Sequence, residues 1–285
     1  MLELPTRANS SAPARPSGPQ LRDYAADELA RAITCLGWRG GRLHAGVHQA
    51  RKSLRRARAT LALGMSALAP AARLIDRELR KLNRGLSVLR DAHALAGALA
   101  LLAERSGVAE ETALLRRAHK AAARERAIRT RSECSDDPGM HARRIILGSL
   151  LGALRALPWE NVDAPMIQAA LARSRTRAAA AGRRAHERDK ADDWHRWRRR
   201  ARRLSQQQRA LGEDAAGNRR EKRLAVLLGQ AQDRNLVQEH CRRGSPFAVA
   251  DRAPLRALME RELARLRARA ERLLAAEPEA ARPAA

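Results

Sequence analysis

Aromatic residues are scarce in this chain of 285 residues: four Trp, one Tyr and one Phe, 2% in all. A hydrophobic core must therefore be built mostly from Leu and Ala, with Trp as occasional large fillers, and no base-stacking platform stands out. Cysteine is scarce too. Cys35, Cys134 and Cys241 are isolated, with neither a disulfide framework nor zinc-ligand spacing, which suits a reducing, cytoplasmic setting. No apolar run has the length of a transmembrane span, so no membrane partner is expected. Met1 to Gln20 contains Pro5, Pro13, Pro16 and Pro19 and no apolar signal-peptide segment, and residues 1–20 read as a disordered leader. Windows of β-branched alternation are missing, which leaves an all-α protein rich in Ala and Leu.

Acid is the scarce charge. There are 31 Asp+Glu against 57 Lys+Arg, a formal net charge of +26. Paired surface charges would balance, so an excess of this size implies a polyanionic partner: nucleic acid, anionic lipid or polyphosphate.

What is present is organised around one stretch, Val47 to Arg58. At helical spacing, Val47, Ala50, Leu54, Ala57 and Leu61 recur at i, i+3, i+7, i+10 and i+14 and make one apolar face. His48, Arg51, Arg55 and Arg58 recur one residue further round, with Lys52 and Arg56 beside them, so a basic ridge runs next to the buried one. The arrangement returns later in the chain. Trp194, Trp197, Ala201 and Leu204 form an apolar stripe, and His195, Arg198 and Arg202 a basic one, with Arg199 and Arg203 in the places of Lys52 and Arg56. Two copies, each with its apolar stripe one position earlier, indicate an internal duplication. Because Trp194 and Trp197 align with Val47 and Ala50, they read as core rather than as stacking surfaces.

Punctuation by Gly and Pro gives the remaining helices. A first helix covers Leu21 to Trp38, and the first motif helix Leu43 to about Ala67. A single helix runs from Pro70 to about Glu104, then another from Val108 to about Arg131, and a shorter one from Met140 to Leu157. Trp159 to Ala164 links the halves. Pro165 opens a helix to about Glu187, and Asp192 or Asp193 caps the second motif helix. Arg219 to Arg242 and Pro254 to Leu274 complete the set, with a frayed tail after residue 277. The duplication extends beyond the motif helix. Aligning Asp91 with Asp233 pairs Leu86 with Leu228, Leu82 with Leu224, Lys81 with Arg223, Arg80 with Lys222, and Arg77 with Arg219. Short turns make such neighbours antiparallel, so each half is expected to be a helical bundle.

These residues resemble the CHAD family, the conserved histidine α-helical domain. His48 through Arg58 with Leu86 to Asp91 fit the family's paired motif in the first half, and His195 through Leu204 with Leu227 to Asp233 fit it in the second. Ser87 stands in place of a glycine, and Gln232 where Asn is common. The resemblance implies two pseudo-symmetric four-helix bundles in one domain over about residues 21–277, halves at about 21–157 and 165–277, and a tail of 278–285. It also implies a basic central channel that binds inorganic polyphosphate. The nominated binding residues are His48, Arg51, Lys52, Arg55, Arg56, Arg58, Arg77, Arg80, Lys81, Arg84 and Arg90 in the first half. In the second half they are His195, Arg198, Arg199, Arg202, Arg203, Arg219, Lys222 and Arg223.

The chemistry suits that ligand. Polyphosphate offers phosphoryl oxygens without bases, and a guanidinium grips two such oxygens at once while keeping its charge. Basic residues at i, i+3, i+4 and i+7 set donors roughly every 5–6 Å along a helix. Each motif histidine is either a neutral ring hydrogen-bonded at a helix interface or a phosphate donor charged when the anion is present. His44 and His48 stand at metal-ligand spacing but lie among Arg42, Arg51 and Lys52, which argues against a metal. Asp91 and Asp233 are read as orienting arginines. Neither a carboxylate set for Mg²⁺ nor a Gly-rich phosphate loop appears. The expectation is therefore a non-catalytic polyphosphate binder without cofactor, found at polyphosphate granules and able to work alongside a polyphosphate-related enzyme. Nonspecific nucleic-acid binding is the alternative.

Overall fold

The computed structural model describes residues 16–212, 219–242 and 244–275, without the side chains of residues 219–222 and 274–275. Among the described residues the chain is helical, with no strand. Helix α1 (Gly18–Leu36) begins at Gly18 rather than Leu21. Ser17 and Gln20 form a reciprocal cap: the Ser17 amide donates to Gln20 Oε1 at 2.7 Å, and the Gln20 amide to Ser17 Oγ at 3.5 Å. Pro19 sits in the first turn, where its missing N–H costs nothing. The last residues assigned to the leader therefore belong to a helix. Residues 1–15 and the tail 278–285 lie outside the described residues.

The first motif helix is α2 (Leu43–Leu61), which ends before Ala67 because Gly64 and the short α3 (Met65–Leu68) turn the chain. All five residues of its apolar stripe are buried. Gly46 lets α2 meet the end of α1: a Cβ there would run into the Cys35 carbonyl oxygen. The single helix expected from Pro70 to Glu104 is two, α4 (Ala71–Gly85) and α5 (Ser87–Arg105), bent by 47°. Gly85 weakens the helix at that point, and Leu86 anchors the bend in the core at 1% exposure.

Then follow α6 (Ala109–Asp136), α7 (His141–Arg155) and α8 (Ala164–Arg188). The Asp163 side chain caps α8 by accepting the Met166 amide at 2.7 Å. The second motif helix is α9 (Ala191–Ala210). Lys190 occupies its cap position, and Asp192 and Asp193, expected there, lie in the first turn, where negative charge favours the helix end. Helices α10 (Arg219–Glu239) and α11 (Val249–Ala275) complete the chain. Among the described residues no single helix is long and apolar enough to cross a membrane.

The cores do not respect the expected boundary between the halves. One joins α1, α2, α4 and α7 to Ile167, Leu171 and Ala178 of α8 and Leu204 of α9. A second joins α5 and α6 to Leu236 and Val237 of α10 and Leu255, Leu258 and Met259 of α11. Trp194 and Trp197 fill a third, with Leu224 and Leu228. Short turns fix which helices form hairpins, but an amphipathic hairpin buries its remaining apolar face against any partner within reach. The stretch read as a linker is also core: Trp159 is fully buried, and its Nε1–H donates to the Leu154 carbonyl at 2.8 Å. Trp159→Ala is expected to cost about 3–5 kcal/mol of stability, measurable as a drop in the urea midpoint without change of slope.

Candidate polyanion site

The two motif helices pack directly against each other. In their seam the Gln207 side-chain amide donates to the Ala59 carbonyl at 3.2 Å. The basic ridges beside the two apolar stripes are thereby brought together. Arg51 and Arg55 come from α2, and Arg198 and Arg202 from α9; Arg90 joins them from the first turn of α5. The bend at Leu86 contributes directly, because Arg51 Nη1 donates to the carbonyl of Asn83 in the last turn of α4.

These cations crowd one another in a partly dry setting. Burial, then Arg202, Arg51, Arg90 and Arg198, push Arg55 down to about 8. Burial, then Arg202 and Arg90, push Arg198 down to about 9, and burial is also the leading reason that Arg51 falls to about 10. Arg202 is lowered by burial and then by Arg90. Guanidinium groups hold their protons tenaciously, so the cluster stays charged and its members repel one another. Among the described residues, two carboxylates stand among the charges that perturb the cluster in the opposite sense, Asp91 and Asp233, and Arg90 holds both, at 2.8 Å and 3.5 Å. The residues aligned by the duplication thus share one guanidinium, in keeping with the orienting role expected of them. Burial raises the Asp233 carboxyl, against the pull of Arg90, Arg198 and Arg234.

A cleft of about 370 Å³ opens over this cluster, lined by His48, Lys52, Arg55, Arg56, Arg202, Ser205, Gln206 and Arg209. Arg55 and Arg202, equivalent positions of the repeat, face the same space. Arg209, Ser205 and Gln206 were not nominated from the sequence; they extend the α9 ridge by one turn, a signal that continuing the helical spacing would have caught. His48 is lowered first by burial and then by Lys52, Arg55, Arg90 and His93. Lys52 is lowered by burial and then by Arg56, Arg209 and Arg55.

Other nominated residues lie further out. Arg56 reaches the cleft wall but pairs with Glu28 at 3.0 Å, a carboxylate only 4% exposed. Arg58 forms a two-pronged bond with Asp76 at 2.8 and 3.2 Å. Arg77 and Lys81 stand on the exposed side of α4 beside Glu78, and Arg80 and Arg84 are exposed on the same helix. Arg199 is lowered by burial, then by Arg80, Arg200 and Arg58, so positive charge continues from the seam onto α4. Arg203 is lowered by burial, although Asp76 pulls it the other way. Arg223 is exposed, and the side chains of Arg219 and Lys222 are outside the described residues.

His195 does not join His48. It lines a separate cleft of about 750 Å³ with Asp192, Gln232, Asn235, Glu239, Arg242 and Arg256, and its Nδ1 lies 2.6 Å from Gln232 Oε1. Both motif histidines reach solvent, and the packing around His48 desolvates its ring only in part. Trp194 and Trp197 are core, at 5% and 3% exposure. His44 turns away from any partnership with His48 and stacks on His93. Among the described residues no group of three His, Cys, Asp or Glu side chains is placed to hold a metal ion.

A search of curated proteins returns no match. Among solved structures, the chain is similar to the CHAD domain from the plant Ricinus communis, with a TM-score of 0.66, 18% identity, and coverage of 96% of this chain and 98% of that one. It is also similar to PptA from Streptomyces chartreusis, with a TM-score of 0.59, 20% identity, and coverage of 92% and 100%. The family model for the CHAD domain matches residues 23–243. The doubled motif, the helical fold and that match together make this chain a member of the CHAD family, which is associated with polyphosphate-related proteins.

Proposed function

We propose that this protein binds linear inorganic polyphosphate, without turning it over, in the cleft between α2 and α9. One observation carries the proposal. Five guanidinium groups from three helices are gathered in a half-dry space where two carboxylates, both bonded to one of the five, are the compensating charges. A strand of phosphoryl groups supplies the missing charge and accepts the free N–H donors in pairs. The cluster serves as a channel into which a flexible strand threads, and Arg55 facing Arg202 supports the reading that the two repeated units contribute matched donors to it. Bound polymer would hold the protein at polyphosphate granules.

Nucleic acid is a poorer ligand for this cleft. Its phosphates carry bases that gain from stacking, yet among the described residues no Trp, Tyr or Phe is exposed. The basic groups lie between packed helices rather than on a protruding recognition element.

Titration with long-chain polyphosphate against duplex DNA and RNA of equal total charge tests the proposal. Polyphosphate is expected to bind more tightly than either nucleic acid, and no orthophosphate is expected to be released with Mg²⁺ or Mn²⁺ present. Equal or tighter binding of nucleic acid would reject it.

A further inference from the structure

We propose that the cleft continues into a proton-coupled phosphoryl subsite built from His44, His93 and Arg126, and that an anion seated there draws protons onto the two rings. The inference rests on the polyphosphate reading and names a regulation of that site.

His44 of α2 and His93 of α5 stack face to face, with ring centroids 4.9 Å apart and planes within 8°. Their hydrogen bonding settles where protons sit. The Thr130 hydroxyl donates to the Arg126 carbonyl at 2.7 Å, so its oxygen, 3.3 Å from His44 Nε2, accepts from that nitrogen. In the neutral ring, Nδ1 of His44 is then a bare acceptor. It is buried without a hydrogen-bond partner, and so is Nδ1 of His93. A proton placed on either atom finds no acceptor in the protein, and a phosphoryl oxygen supplies one.

Among the described residues, the charges that act on the pair are basic. Arg126 of α6 acts on both rings, Arg90 acts on His93 from the same helix, and His48 of α2, which lines the cleft, is coupled to His93. Without an anion the rings stay neutral: burial, then His93 and Arg126, push His44 down to about 4, and burial, then Arg126 and Arg90, lower His93. A bound polyanion reverses the sign of the local field and raises both groups. The bound state then holds more protons than the free state at every pH between the two sets of pKa values. The rings therefore make affinity increase as pH falls through the range between their free and bound pKa values.

The same chemistry is offered by a polyphosphate chain and by a short free anion, so both are used as probes. The full chain is titrated calorimetrically with long-chain polyphosphate and with pyrophosphate at about pH 6 and about pH 8, in two buffers of different ionisation enthalpy to count protons. Wild type is expected to take up protons and to bind polyphosphate roughly tenfold more tightly at the lower pH. His93→Gln and His44→Gln should lose most of the proton uptake and most of the tightening between the higher and the lower pH. Arg126→Gln leaves the stacked rings in place and should weaken pyrophosphate at the lower pH, which separates loss of the subsite from loss of fold. Proton uptake unchanged in both histidine variants, or affinity independent of pH, would overturn the subsite. Pyrophosphate binding that is pH-dependent and lost in these variants, without polyphosphate binding, keeps the subsite and sinks the polyphosphate reading. Neither probe binding at the lower pH sinks both.

Discussion

Replacing Arg55, Arg198 and Arg202 together by Met should yield a protein that is more stable and no longer holds its polyanion. Each side chain is pushed down from the ordinary arginine range, chiefly by burial, and each is surrounded by other arginines. Methionine fills much of the same volume, removes mutual repulsion and has no charge to desolvate. Comparable replacements of buried charge stabilise by about 1–4 kcal/mol. A gain at the middle of that range raises the melting temperature by several degrees in a chain of this size, roughly 2–4 °C per kcal/mol. Binding should fall by roughly tenfold or more for each guanidinium, because a hydrogen bond to a charged group contributes about 1.5–3 kcal/mol. Thermal melts without ligand, paired with polyphosphate titrations, check both halves. If the triple variant melts lower, the arginines are structural and the cluster is not waiting for an anion.

Arg90→Met should act in the opposite sense. Arg90 bridges Asp91 and Asp233, and its side chain is 23% exposed. Its loss leaves two partly buried carboxylates without their shared partner, a break of the kind that costs about 3–5 kcal/mol when fully buried and less here, about 2 kcal/mol. Asp233, already raised by burial, should rise further, so the variant's deficit should shrink as pH falls and that carboxyl becomes neutral. Denaturant titrations at about pH 7 and about pH 5 read this directly. Adding Asp233→Asn to Arg90→Met should recover part of the loss, since the uncompensated charge is gone. A pH-independent deficit with no recovery would show that Arg90 acts through packing alone.

The contrast between these variants marks where sequence reasoning reaches and where it stops. Arg55 and Arg202 were legible because they recur on a 3.6-residue period beside an apolar stripe, and burial of that stripe fixes the side on which they emerge. Arg90 was legible as part of the second motif, but its hold on two carboxylates from opposite halves was not. That bond needs α5 packed against α10, and the 47° bend at Leu86 that sets the direction of α5 has no residue that forces it in the way an internal proline would. Of the outlying nominations, Arg58 pairs with Asp76 from another helix, which linear spacing did not connect to it, whereas Glu78 is adjacent to Arg77 and at i, i+3 from Lys81, a pairing the spacing already held.

His48 and His195 teach the same lesson in reverse. Their motifs are alike, yet one faces a cleft walled by Lys52 and four arginines and the other a cleft where Arg242 and Arg256 are offset by Asp192 and Glu239. His44 and His93 are far apart in the chain and carry no shared pattern, so nothing short of coordinates could stack them.

The amino-acid order by itself determined that the chain is helical, that two helices carry matched apolar and cationic stripes, and that positive charge is in large excess. Those properties follow from local periodicity and composition, which each segment carries wherever it packs. Tertiary structure alone decided which ridges meet, which arginines are dried and crowded, and which histidines stand beside them. Desolvation and mutual repulsion depend on distance in space, and burial of apolar faces, not position along the chain, sets that distance.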